Sequence, residues 1–366
     1  MKSNPVVFPF KPFSRLDARL QKQSYADIET DLATLSVLLP KKIFHNVLSH
    51  GKTIEEKIFS IFVNPQIRFG EKSDITQLKK YWLDRISYFT SKKKRLECTI
   101  LGFPGKAPVP IKTRREMPDF GELTSLHRLY ELTRHIRRTY APGARITIIT
   151  EGLLGTGIGL SMREAVAYEK YLQKLIKKLH WNGSLRTVPL GKMQKNPAYK
   201  KILRSEIRKF RDVFNKKDKQ FLAKYTAAYA SIFHLVSTRG NADQTVRDAY
   251  KAHPKTAQGK RLRTAIAHKA HKATIGYFAT LSVRDKLKFL ETTVPHFLAL
   301  TVSPKPYRLS FQLVPATVTL LAHHGIPFGD IIQYRQELLT SQKPYIRVFL
   351  TKDTDREPFL YLPYKT

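Results

Sequence analysis

Cysteine is almost missing from this chain. Cys98 stands alone among 366 residues. An intrachain disulfide and a cysteine-based metal site are therefore excluded, and a reducing cytoplasm is the compartment that fits. Long apolar runs are missing too: no stretch of about 18 apolar residues occurs, so no transmembrane helix is expected. The start, Met1-Lys-Ser-Asn-Pro-Val-Val-Phe-Pro-Phe10, lacks the apolar core and cleavage site of a signal peptide. Acids are scarce, with 29 Asp and Glu against 65 Lys and Arg, a net charge of +36. Such a field draws nucleic acid, anionic membrane or phosphorylated small molecules. Recognised nucleic-acid modules are nevertheless absent, with no zinc-finger spacing, no RNP signature and no basic region followed by heptads.

Several catalytic signatures are also lacking. No G-x-S-x-G elbow supports a Ser/His/Asp triad, and no G-x-x-x-x-G-K-[ST] loop occurs. The twelve histidines converge on no metal site; His268 and His271 share a helix but lack a third ligand.

What remains is a hydrophobic share of 42%, compatible with a folded core. Residues 1–93 read as a helical N-terminal region, with helices over Ser24–Leu39, Ile54–Phe62 and Asp74–Ser91. In the last of these, Ile75, Leu78, Trp82 and Ile86 describe one helix face. Residues 94–366 read as a Rossmann-like α/β core that carries a basic helical segment over about 197–290. Within that segment, residues 249–284 contain eight Lys and Arg and no acid.

The α/β reading rests on an alternation of patterns. Cys98–Phe103 is a strand, Leu123–Arg138 a helix stopped by Tyr140-Ala-Pro-Gly143, and Arg145–Thr150 a second strand. A glycine-rich loop, Glu151–Gly159, follows. Ser161-Met-Arg-Glu164 fits a capping box for a helix running to about His180, and Leu185–Leu190 is a third strand. Strand character returns at His296–Val302 and Tyr307–Val314, and Tyr345–Leu350 and Phe359–Leu362 would add edge strands. The order β-α-β-α-β implies a parallel sheet with right-handed crossovers, whose strand tips are the place for a ligand.

Charged residues gather at those tips. Lys106 and Lys112 follow the first strand, and a lysine there can hold phosphate or form an imine. Asp119 and Glu122 suit an N-cap as well as proton transfer. Glu151 has no capping role at the end of its strand, so it is the best general acid/base by position. Gly152 and the glycines after it let backbone approach an anion, although their spacing does not fit G-x-G-x-x-G.

The series Gly102-Phe-Pro-Gly-Lys106, Pro118-Asp-Phe-Gly-Glu122, Tyr140-Ala-Pro-Gly-Ala and Ile146-Thr-Ile-Ile-Thr-Glu-Gly152 resembles the pyoverdine/dityrosine biosynthesis family, the isonitrile synthases. Its members show F-P-F-K-S-x-N, P-D-x-G-E, Y-x-P-G-A and a strand ending in S-D-G. His296–Pro304 with Tyr307–Pro315 resembles the family's R-L-S-I-H-P segment and its neighbouring strand. The resemblance implies a Rossmann-like enzyme that condenses the amino group of tyrosine or tryptophan with ribulose 5-phosphate, the source of the isonitrile carbon. It implies no metal or nicotinamide cofactor, and a partner Fe(II)/2-oxoglutarate oxygenase that processes the product.

On that resemblance Lys106, Asp119, Glu122 and Glu151 carry the catalysis. Lys112, Thr150, Gly152, Ser161, Ser303 and Lys305 hold substrate or phosphate. Thr150 stands for the family serine, Glu151 for its aspartate, and Ser303 for its histidine before proline. Ala107-Pro-Val109 departs from S-x-N and Gly105 from phenylalanine. Those departures leave open another substrate, a family fold without activity, or a basic protein that binds nucleic acid or anionic membrane.

Overall fold

The computed structural model describes residues 27–30, scattered positions from 33 to 46, and 47–68, 73–103, 117–118, 120–157, 160–239, 256–302, 308–313, 345–350 and 360–363. In chain order the first elements are β1 (Asp27–Thr30), α1 (Ile54–Phe62), α2 (Ser73–Thr90), β2 (Leu96–Gly102), α3 (Phe120–Thr139) and β3 (Ala144–Thr150). There follow α4 (Gly152–Thr156), α5 (Met162–Lys178), β4 (Leu185–Pro189), a 3-10 segment (Leu190–Lys195), α6 (Tyr199–Asn215), α7 (Lys219–Arg239) and α8 (Ala257–Lys286). The last are α9 (Phe289–Thr293), β5 (Leu298–Thr301), β6 (Leu309–Ser310), β7 (Tyr345–Leu350) and β8 (Leu360–Pro363).

Strands β2 to β6 form one sheet in the order β4-β3-β2-β5-β6, with every neighbouring pair parallel. The register of β2 on β3 runs from Leu96 opposite Ala144 to Gly102 opposite Thr150. Glu97 and Arg145 oppose each other in that register, and the guanidinium donates to both carboxylate oxygens at 3.0 and 2.8 Å.

A parallel sheet needs cover on both faces. Leu96, Cys98, Ile100, Ile146 and Ile148 turn to one face, against Trp82 of α2, Leu126 of α3 and Leu172 of α5. Leu101, Ile149 and Ala299 turn to the other, against Val283 of α8 and Leu290 of α9. Helix α5 begins as its sequence dictates: Glu164 N–H donates to Ser161 Oγ, and Ser161 N–H donates back to the Glu164 carboxylate. Helix α3 stops at the Pro142-Gly143 turn, where Gly143 takes φ +69°.

The sequence expectations differ from the fold in four places. Asp27–Thr30 is a strand, not part of a helix over Ser24–Leu39, because Asp27 to Thr30 pair in parallel with Arg347 to Leu350. That long-range pairing overrides local helix propensity. β7 and β8 are not edges of the core sheet; with β1 they make a separate three-stranded sheet. The strand expected over Tyr307–Val314 shortens to Leu309–Ser310. The Glu151–Gly159 loop contains the short helix α4.

The basic segment is helical, as its composition suggests. Helices α6 and α7 both pack on the long α8. Phe221, Tyr225 and Ile275 form one apolar centre, and Ile232, Val236 and Ile266 another. Among the described residues no helix is long and apolar enough to cross a membrane.

Candidate active site

The strand order reverses between β2 and β5. In a parallel sheet that reversal opens a crevice at the carboxyl ends of the strands. The tips that meet there are Gly102, Thr150, Thr301 and Ser310, and Glu151 continues β3 by one residue. Glu151 N–H donates to Gly102 O at 3.3 Å and ties the β3 tip to β2.

Side chains alternate along a strand, so each tip residue has an assigned face. Ile149 belongs to the core under α8, and Glu151 lies on that side, where its charge acts on Tyr277 of α8. Burial first, and then that negative charge, raise the Tyr277 hydroxyl above its ordinary pKa. Thr301 and Ser310 are paired in register and buried, and alternation from Leu300 and Leu309 turns both toward α8. Arg308, two residues before Ser310, shares their face. Arg284 lies two turns beyond Tyr277 on α8, and the residue is only 5% exposed. A carboxylate, a phenol and two buried hydroxyls thus share one side of the strand tips, whereas the register sets Arg308 level with Thr99, three residues back from the β2 tip.

Thr150 turns to the opposite face, beside α3 and α5. Its hydroxyl donates to the buried carboxylate of Glu169 on α5, which also accepts from Gln173 Nε2 at 3.3 Å. Burial raises the Glu169 pKa despite the Thr150 bond and the nearby Lys192 charge. Glu122, in the first turn of α3, is buried on this same side and accepts the Tyr168 hydroxyl at 2.9 Å.

The sequence-derived site residues therefore separate. Glu151 faces α8, whereas Glu122 and Thr150 lie across the sheet from it. Gly152 starts α4 where a Cβ would stand 2.9 Å from Ala165 Cβ, so only glycine lets α4 sit this close to α5. Ser161 is the N-cap of α5 and is exposed. Lys106, Lys112, Asp119, Ser303 and Lys305 lie outside the described residues. Among the described residues, no group of three His, Cys, Asp or Glu could hold a metal ion.

Sequence reasoning missed Tyr277, Arg284, Arg308, Ser310 and Glu169. Tyr277 and Arg284 sit in a helix whose basic composition hides them.

Comparison with known proteins bears on the family and the fold. Residues 86–305, which run from the end of α2 to just beyond β5, fit the model of the family described as pyoverdine/dityrosine biosynthesis protein. The spore wall maturation protein DIT1 of Saccharomyces cerevisiae is 30% identical over 126 residues, covering 34% of this chain and 22% of that one. An L-tyrosine isonitrile synthase of Xenorhabdus nematophila is 29% identical over 161 residues, 43% of this chain and 44% of that one. The L-tryptophan isonitrile synthase AmbI2 of Fischerella ambigua is 32% identical over 98 residues, 26% of this chain and 30% of that one. The matched segments thus span less than half of these curated relatives. The crystal structure of the PvcA protein from Pseudomonas aeruginosa superposes with a TM-score of 0.63, at 17% identity, over 85% of this chain and 100% of that one. The shared fold and a family match over more than half of its length lead to one assignment: this chain belongs to the pyoverdine/dityrosine biosynthesis family.

Proposed function

We propose that the chain is an isonitrile synthase. It converts the amino group of an aromatic L-amino acid, tyrosine or tryptophan, to an isonitrile, with ribulose 5-phosphate as carbon donor. The observation that carries this reading is the family match across 86–305, the segment that holds the β2, β3 and β5 tips. Relatives named as tyrosine and tryptophan isonitrile synthases support the substrate class.

The first step joins the amine nitrogen to the ketone carbon of the sugar and then expels water, leaving an imine. The nitrogen gives up two protons and the ketone oxygen leaves with them, so the site needs a group that takes and returns protons. Glu151 serves this role beside the Tyr277 phenol, with Asp119 as a further carboxyl, whereas Glu122, across the sheet, accepts from Tyr168. Lys106 and Lys112, which follow β2 in the sequence, and Lys305, which follows β5, steer the phosphate. Gly152 and Thr150 shape the β3 tip, with Ser161 and Ser303 in the segments beyond the tips. The reaction proceeds in the cytoplasm, and a Fe(II)/2-oxoglutarate oxygenase takes the product onward.

Incubation of the purified chain with tyrosine or tryptophan plus ribulose 5-phosphate tests the proposal. The expected result is an isonitrile infrared band that requires both substrates. No band with any aromatic amino acid rejects the activity.

One observation favours a second reading. Lys200, Lys201, Arg204, Arg208 and Lys209 of α6 line a groove of about 920 Å³ in which Asp212 is the lone acid. Such a surface suits nucleic acid or anionic membrane, and binding there would weaken steeply with salt.

A further inference from the structure

Every neighbouring pair in the core sheet is parallel, so α2, α3 and α5 all return the chain to one end of it, opposite the strand tips. The turns at that end, residues 91–95, 140–143 and 179–184, hold no acid. A pocket of about 490 Å³ opens there, bounded by the last turns of α3 and by the turns before β3 and β4. Arg95, Arg134, Arg137 and Arg138 line it with Tyr130, and among the described residues no carboxylate belongs to its walls.

Two of these cations have partners and two do not. Arg134 Nη1 donates to Glu131 at 2.7 Å. Arg95 Nη1 donates to Gly183 O at 3.1 Å, which fixes it at the pocket wall. Glu97, 3.8 Å from Arg95 Nε, already accepts from Arg145 with both oxygens. Arg137 and Arg138 are exposed, and among the described residues no acceptor engages either guanidinium. Gly143 leaves room for the Arg137 stem, whose Cβ and Cγ would stand 3.4 Å from a Cβ at that turn.

The carbonyl end of α3 favours cations and accounts for Arg137 and Arg138. It does not account for Arg95, which arrives from the turn before β2, nor for the hollow that the four surround. Like charges gathered in this way call for an anion. From Arg134 to Arg138 the helix rises about 6 Å, a row longer than one phosphate can answer. The planar fork of arginine matches phosphate oxygens, and the volume is that of a small-molecule site.

We propose that this pocket, remote from the strand tips, binds a polyphosphate group: two or more linked phosphates, as in a nucleoside triphosphate. The site stands apart from the reaction proposed at the tips.

Calorimetry on the full chain at physiological ionic strength tests this, with inorganic triphosphate, pyrophosphate and orthophosphate as probes. Affinity should rise with the number of linked phosphates. The double variant Arg137→Gln/Arg138→Gln should weaken triphosphate by about tenfold or more. Gly183→Glu, which sets an acid at the pocket where a Cβ meets nothing within 4 Å, should do the same. Lys200→Gln/Lys201→Gln removes equal charge from α6 and should bind as the wild type does. Thermal melts establish that each variant is folded. Equal weakening in the α6 variant would assign the binding to the general positive field and overturn the pocket. Undiminished affinity in a folded pocket variant overturns it too, as does a wild-type chain that binds no triphosphate. A single-stranded oligonucleotide that binds more tightly than triphosphate, and loses affinity in the same pocket variants, would replace the small ligand with nucleic acid and overturn the proposal.

Discussion

Tyr168 donates its hydroxyl to Glu122 Oε1 at 2.9 Å and joins the second turn of α5 to the first turn of α3. Both residues are buried, Tyr168 at 1% and Glu122 at 3% exposure. A carboxylate in that position depends on its donors. Tyr168→Phe keeps the ring and removes one of them. The expected cost is about 1–3 kcal/mol, read as a lower urea midpoint at unchanged slope. An unmoved midpoint would show that the bond contributes nothing to stability.

His127 gives the fold an acid-sensitive limb. It lies on α3 with its ring 5.7 Å from that of Trp181, and its Nδ1 has no partner. Burial first, then the charges of Arg128 and Arg134, draw its pKa from 6.5 to about 4. Glu131 stands 3.9 Å away and does not reverse the shift. The unfolded chain binds this proton more tightly than the folded one, so between those pH values stability rises with pH. The stabilisation is present above pH 6.5 and lost as pH falls toward 4, by about 3 kcal/mol at most. Urea unfolding from pH 4 to 7 should show a shallower acid limb in His127→Phe than in the wild type. Identical limbs would assign the acid sensitivity elsewhere.

The central β-α-β units were legible because their signals are local. Apolar alternation, the Pro142-Gly143 stop and the Ser161/Glu164 capping box each act within a few residues, and all three stand in the fold. Asp27–Thr30 was misread because its partner lies more than three hundred residues away, at Arg347–Leu350. The site divided in the same manner. That Glu151 follows the β3 tip was readable from the sequence, a local property. Tyr277 escaped because only the packing of α8 over β3 brings it near Glu151. That Glu122 and Glu151 take opposite faces follows from strand parity and helix placement together, which no spacing in the sequence displays.

Gly152 fixes how Glu151 is presented. A Cβ there would stand 2.9 Å from Ala165 Cβ, and the backbone of α5 lies just behind. Gly152→Ala therefore forces α4 away from α5. Overpacking of this kind costs about 1–3 kcal/mol. Gly183→Ala, at a position where a Cβ meets nothing within 4 Å, serves as the control and should stay near wild type. Equal thermal melts for the two variants would show that the contact relaxes without cost.

On the proposed function Glu151 takes and returns the protons, and that role can be tested apart from turnover. Glu151→Gln keeps the shape and removes the base, so kcat should fall on the order of 10²–10⁴-fold. Glu151→Asp keeps the charge but withdraws the carboxyl by about an ångström, a displacement that can cost on the order of 10²-fold. The same charge raises the Tyr277 hydroxyl. In Glu151→Gln the Tyr277 pKa should therefore drop, whereas in Glu151→Asp it should stay closer to wild type. Ring-labelled tyrosine spectra, with the Tyr277 signal assigned by its loss in Tyr277→Phe, report that change even if no product forms. A Tyr277 titration unaltered by Glu151→Gln would separate the two groups and remove the proton-transfer role from the α8 side of the sheet.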